Sequence, residues 1–167
     1  VEDAKGENVR IHLRGNHLTL GAEAARRFPR IVARDTALSL GTDRSGRREF
    51  AGWLTDPKNP LTARVMVNRI WAGHFGAGLV RTTDNFGRLG ERPTHPELLD
   101  WLASEFVSAR WSVKHMHRLI VTSTAYQMST QADAVTLQKD PENRLLSHFS
   151  RRRLDAEEVR DGMLAVS

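Results

Sequence analysis

The sequence predicts a mainly α fold: a compact bundle of about six helices with a short N-terminal strand and an extended arm. Three observations carry that prediction. Apolar residues recur at helical spacing in several segments, cap and proline signals mark where those segments begin, and alternation of period two occurs in a single short stretch. A chain of 167 residues, 40% hydrophobic and 27% charged, has the composition of one ordinary globular body that builds a core without metals or disulfides.

The elements follow in order. Val9 to Leu13 alternate as Val-Arg-Ile-His-Leu, the pattern of a half-buried strand ended by Arg14-Gly15-Asn16. His17 to Gly41, with Gly21, Pro29, Phe28, Ile31 and Val32, has no clean period and reads as an arm packed on the body. The domain organisation is therefore residues 1–41 as strand and arm, and 42–167 as the helical domain. Thr42 to Gly46 is turn-forming, and Ser45 is placed to cap a helix from about Gly46 to Leu54 whose inner face carries Phe50, Trp53 and Leu54.

Asn59-Pro60 is a specific start, because asparagine caps free N–H groups and proline at the first helical position gives up none that was needed. The helix it opens runs to about His74 and turns Ala63, Met66, Val67, Ile70 and Trp71 inward, with Arg64 and Asn68 opposite. Gly76 is its C-cap. From Phe75 to Pro93 the chain holds four glycines and no lasting period, a long loop of the kind that serves function. Thr94 and Glu97 have the spacing of a capping box ahead of a helix over 95–108 with Leu98, Leu99, Leu102, Phe106 and Val107. Ser112 caps the next, carrying Val113, Met116, Leu119 and Ile120, and the two form an antiparallel or angled pair. Ser129 to Lys139 reads as a mobile polar loop. Asp140-Pro141 repeats the cap-and-proline signal before Leu145, Leu146 and Phe149, and Asp155 with Glu158 opens a last helix bearing Val159 and Met163.

Function is less legible. No cysteine is present, which removes thiolate metal sites, disulfides, cysteine nucleophiles and attached haem. No stretch has the roughly 20 apolar residues of a membrane span, and the ends read as those of an excised domain. Net charge is +5, from 21 arginines and 4 lysines against 20 acidic residues, a weak bias toward anionic partners. Of seven histidines, His115 and His117 lie two apart on a helix and point away from each other, so they share no metal; His117 flanks the apolar stripe and His115 faces solvent, and no metal site is expected. No Gly-x-Ser-x-Gly elbow occurs. The best candidate binding residues flank the long loop: Asn68, Arg69, His74, Asp84, Asn85 and His95, a set able to take a small anion or sugar or to do acid–base work. The bland alternative is that Arg69 and Asp84 simply anchor the loop. Arg144, Arg151, Arg152 and Arg153 form a candidate basic surface, which Asp155, Glu157 and Glu158 can neutralise. Lys114, His115, Arg118 and Arg110 give the 95–122 helix pair a passing likeness to a helix-turn-helix, but its apolar stripes are those of a core and nucleic acid is disfavoured.

A longer pattern is more specific. Asn59-Pro60-Leu61-Thr62-Ala63-Arg64-Val65-Met66-Val67-Asn68-Arg69-Ile70-Trp71 is followed by His74-Phe75-Gly76, Gly78-Leu79-Val80, Asp84-Asn85-Phe86-Gly87, His95-Pro96-Glu97-Leu98-Leu99-Asp100-Trp101-Leu102-Ala103 and His117-Arg118-Leu119-Ile120. Asp140-Pro141-Glu142-Asn143-Arg144-Leu145-Leu146 and Arg152-Arg153-Leu154-Asp155-Ala156-Glu157 extend it. This closely resembles the planctomycete cytochrome-associated domain of unknown function DUF1553, densely over residues 40–167. The resemblance implies an interaction or scaffold module of a large exported or cell-envelope protein. It implies partners among the other domains of that protein, including a haem-bearing cytochrome c-like module, no cofactor in this chain, and no established catalytic residues. The main alternative is an enzyme or a carbohydrate or small-anion site near the 75–93 loop.

Overall fold

In a computed structural model, which describes residues 6–29 and 45–167, the chain is mainly helical. Val1–Thr62 and Ala63–Ser167 form two compact units. Within the first, β1 (Val9–His12) and β2 (Leu20–Ala24) make an antiparallel hairpin. Val9 lies opposite Ala24 and His12 opposite Leu20, with an irregularity between Arg10 and His12. The turn uses Arg14 and Gly15 at positive φ, 53° and 77°. Two sequence expectations are corrected here. The segment after His17 contains a second strand, and the first strand is not half-buried: Val9 and Ile11 are 65% and 52% exposed. The alternation was real, but it found a partner strand rather than a core. Ile31, Val32 and most of the Thr42–Gly46 turn lie outside the described residues.

Helix α1 (Arg47–Leu54) carries two aromatic side chains, Phe50 and Trp53. Phe28 is buried and stacks on Trp53 with ring centroids 4.8 Å apart, and Phe50 lies against both rings although its outer face is exposed. The N-cap is Gly46 in the left-handed region, not Ser45; the Ser45 hydroxyl sits one residue too early and instead accepts from the Arg47 N–H at 3.3 Å. Past α1, Asn59 works as expected. Its Oδ1 accepts from the Leu61 and Thr62 N–H groups at 3.0 and 3.2 Å, and its Nδ2 donates to the Trp53 carbonyl.

The second unit is built on α2 (Thr62–Phe75), α3 (Pro96–Ser108) and α4 (Val113–Val121). Each presents a row at helical spacing: Ala63, Val67, Trp71 and Phe75 from α2, Leu99, Leu102, Ala103 and Phe106 from α3, Met116 and Ile120 from α4. Leu79 and Val80, from the loop after α2, complete this core. Met66, expected inside, is 37% exposed, and Asn68, expected outside, is wholly buried.

Helix ends show which local signals the chain uses. Gly76, at φ 81°, closes α2 by donating to the Ala72 carbonyl at 2.8 Å, and Ser112 caps α4 by accepting from the His115 N–H. The Thr94–Glu97 capping box does not form. The N-cap of α3 is His95, without a side-chain cap bond, and the Thr94 hydroxyl is occupied by the Leu79 carbonyl at 3.3 Å. Between α3 and α4 the chain makes a Schellman turn without glycine: Arg110 N–H donates to the Val107 carbonyl and Trp111 N–H to the Phe106 carbonyl, while the Trp111 and Phe106 rings meet at 5.2 Å. Both turn residues are left-handed, Arg110 at φ 55° and Trp111 at φ 61°. Holding arginine there costs roughly 1 kcal/mol that glycine would not incur. Arg110→Gly is therefore expected to raise stability by about 0.5 to 1 kcal/mol, read as a higher midpoint in urea unfolding with an unchanged slope.

The C-terminal third differs most from expectation. The polar stretch thought mobile contains α5 (Ala134–Lys139), capped by the Asp133 carboxylate on the Thr136 N–H at 2.7 Å. Asp140 starts no helix. Its carboxylate accepts from the N–H groups of Arg144 and Leu145 at 2.8 and 2.7 Å, and Asn143, at φ 49°, donates to the His148 carbonyl and the Ser150 hydroxyl. These side chains satisfy the backbone that a helix would otherwise have paired internally, so residues 140–150 stay irregular. Last comes α6 (Ala156–Val166), with the capping box of Asp155 and Glu158 in place. Among the described residues no helix is long and apolar enough to cross a membrane.

Candidate functional site

The loop from Phe75 to Pro93 is held by one buried side chain. Asn68 Oδ1 accepts from the Val80 N–H at 2.8 Å and Asn68 Nδ2 donates to the Val80 carbonyl at 2.9 Å, a two-point clamp on an otherwise unpaired peptide inside the core. Leu79 answers on the other side, its carbonyl accepting from the Thr94 N–H at 2.8 Å. The loop thus crosses the core as a pinned irregular strand rather than a free flap.

Other residues expected to line one cleft are distributed in separate contacts. Arg69 Nη2 and Asp84 pair at 3.1 Å with side chains 56% and 88% exposed, a solvent-screened bridge contributing about 0 to 1 kcal/mol. Asn85 serves the loop itself: its Oδ1 accepts from the Gly87 N–H and its carbonyl from the Thr82 hydroxyl. His95 Nδ1 lies 3.0 Å from the neighbouring Thr94 hydroxyl. No hydrogen bond or ion pair among the described residues joins Asn68, His74 or His95 to the Arg69–Asp84 pair. A small pocket of about 30 Å³ does open beside the loop, between Leu79, Arg81 and Glu142. That volume holds a water molecule or two. Its guanidiniums are already engaged, with Arg81 donating to the Glu142 carbonyl at 2.8 Å and Arg144 bridging Glu142 and Glu91 at 3.3 and 2.9 Å.

The basic surface is divided in the same way. Arg144 has those two carboxylates, which raise its pKa, the Glu91 hydrogen bond most. Arg152 pairs with both oxygens of Glu158, which holds that carboxyl below its usual value. Arg151 and Arg153 are exposed. The Asp140 carboxyl is also held low, first by the Leu145 N–H, then by the Arg144 N–H and the charges of Arg81 and His148.

His74 does have a partner, and sequence spacing hid it. His74 Nε2, at the end of α2, lies 2.7 Å from Nδ1 of His117 on α4, with the ring planes 71° apart. Tyr126 packs edge-on against His74 at 5.6 Å, and the Phe75, Tyr126 and Phe149 rings cluster behind. Partial burial lowers the His74 pKa, and His117 and Arg152 lower it further, since a proton on His74 would set its charge beside theirs. His115 is exposed, as expected, and its Nε2 lies 2.9 Å from a Glu105 carboxylate oxygen across α3 and α4. On the same helix pair Lys114 and Arg118 are exposed. Among the described residues no group of three or more histidine, aspartate or glutamate side chains could hold a metal ion.

Residues 46–167 match the family described as PSD1: Protein of unknown function (DUF1553). No curated protein and no solved structure matches the chain.

Proposed function

The chain belongs to the PSD1 family of proteins of unknown function (DUF1553), and on that premise we propose that it is a helical interaction or scaffold module of a larger exported, planctomycete-type protein. Its partners are neighbouring domains of that protein, foremost a haem-bearing cytochrome c-like module, in the cell envelope. The observation that carries this reading is the state of α6. Its start is fixed by the Asp155–Glu158 box, yet none of its residues is buried, and Val159, Met163 and Val166 share one face at 42%, 66% and 88% exposure, with Leu164 beside them at 61%. A helix of this length has little stability in water on its own, and a stripe of four apolar side chains gains about 1.5 to 3 kcal/mol for each one it covers. Such a face is made for another protein surface. Arg152, ahead of the helix, pairs with Glu158 in its first turn.

The test is a binding titration between this chain and the haem-bearing module of the same parent protein, followed by calorimetry and by the haem absorption band. The expected result is saturable binding that weakens at least about tenfold when Val159 and Met163 are both replaced by glutamate, since placing two charges at a covered apolar contact costs more than the 1.4 kcal/mol of one decade. Absence of binding, or an affinity indifferent to those two changes, would remove the reading.

A further inference from the structure

The His74–His117 contact joins two helices at their exposed edge, and its chemistry sets a condition on when it exists. A hydrogen bond between two imidazoles needs one N–H and one bare nitrogen. The 2.7 Å separation of Nε2 and Nδ1 is therefore compatible with two neutral rings, or with one neutral ring and one imidazolium. It is not compatible with two imidazolium ions, which have no acceptor between them.

We propose that His74 and His117 form an acid-released latch between the end of α2 and the face of α4: closed while at least one ring is neutral, open once both carry a proton. The surroundings of His74 favour release. From α4 it faces His117, from the turn after α4 the edge of Tyr126, and from the segment after Phe149 the guanidinium of Arg152. Among the described residues the charges that act on it are those of His117 and Arg152, both cationic when protonated, and the Glu158 carboxylate is committed to the two terminal nitrogens of Arg152. The sign follows from linkage. A histidine whose folded pKa lies below its ordinary 6.5 takes up its proton more readily in the unfolded chain, so its contribution to stability is complete above that pH and is lost as pH falls through the folded value.

Histidine is the side chain whose charge changes in this range, so the latch is a device for sensing mild acid. When it opens, α4 loses a tie to α2 just outside the core contacts of Met116 and Ile120, and the aromatic cluster of Phe75, Tyr126 and Phe149 loses the imidazole that borders it. The core remains, so the change is a local loosening rather than unfolding.

A double-mutant cycle reads this directly. His74→Gln, His117→Gln and the pair are compared with the parent by urea unfolding at about pH 7.5 and about pH 5, on either side of the ordinary histidine value. At the higher pH each single change is expected to lower the folding equilibrium constant about fivefold, the worth of one ordinary hydrogen bond, and the double change no further than the worse single one. At the lower pH that coupling should shrink as the doubly protonated pair gains population. Coupling of equal size at both pH values, or none at the higher, overturns the latch. Imidazole nitrogen shifts of the unsubstituted protein give a second reading that needs no variant: His74 should titrate below its ordinary value, and a midpoint at or above it overturns the proposal equally.

Discussion

Replacing Asn68 with alanine is expected to cost about 3 to 5 kcal/mol, more than any other single polar substitution in the second unit. Asn68 is fully buried, and its amide meets both polar groups of the Val80 peptide, itself inside the core. Truncation leaves a buried N–H and a buried C=O without partners, each worth roughly 1 to 3 kcal/mol, and opens a cavity beside Gly78 and Val80. Two controls separate the causes. Asn68→Leu restores the volume and leaves both backbone groups orphaned, so it should recover only the smaller, cavity part of the loss. Asn68→Asp keeps an acceptor for the Val80 N–H but places a carboxylate against the Val80 carbonyl, and its deficit should shrink as pH falls toward the carboxyl's protonation. Chemical denaturation supplies all three numbers. A loss under about 1 kcal/mol for the alanine variant would mean that water reaches the Val80 peptide and that the loop is not clamped from within.

Gly78→Ala is the second large effect, and it tests the same clamp from the other side. A Cβ at this position would lie 2.5 Å from the Val80 carbonyl oxygen and 2.7 and 2.9 Å from the two terminal atoms of Asn68. Neither neighbour can withdraw, because one is backbone and the other is the buried amide that holds it. The expected cost is about 2 to 4 kcal/mol, overpacking compounded by the broken hydrogen bonds. Non-additivity gives the sharper check. With Asn68 already alanine, two of the three close approaches are gone and the clamp no longer exists to be broken, so the double variant should fall short of the summed single losses by about 1 kcal/mol or more. Strict additivity would show that Gly78 and Asn68 act independently, against the arrangement described.

Both residues illustrate how far the sequence could be read. Asn68 was placed with Arg64 on a solvent-facing stripe because a helix taken alone offers no reason to bury an amide. The reason lies twelve residues on, where a loop peptide passes through the core. Gly78 belonged to a glycine-rich stretch that looked like a functional loop; its glycine is required because a side chain from another element occupies the space. His74 does stand at a helix end, but the partners proposed for it came from nearby sequence. Its actual partner, His117, is on a different helix and had been read merely as a flank of the apolar stripe. The spacing argument that separated His115 from His117 was sound, and it said nothing about either one meeting a third histidine.

The helix count agrees with expectation while its membership does not. A short helix at Ala134–Lys139 stands in for the one expected around Leu145 to Phe149. Asp140 carried a true cap signal in the sense that its carboxylate does accept backbone N–H groups. It spends them on the turn of Arg144 and Leu145, where Asn143 and Leu146 adopt left-handed conformations, at φ 49° and 54°, that a helix does not allow.

What the sequence determined by itself is everything that neighbours within one turn decide: the mainly helical class, the inward rows of Val67, Trp71, Leu102, Phe106, Met116 and Ile120, the caps at Asn59, Ser112 and Asp155, and the left-handed stop at Gly76. Those depend on the fixed period of the helix and on orphaned N–H and C=O groups a few residues away. Tertiary structure alone decided which polar side chains meet: Asn68 with Val80, His74 with His117, Arg144 with Glu91, and the Thr94 hydroxyl with Leu79 instead of its own helix. A hydrogen bond reaches about 3 Å and depends on direction, so its partner is set by the path of the whole chain through space, which no local periodicity records.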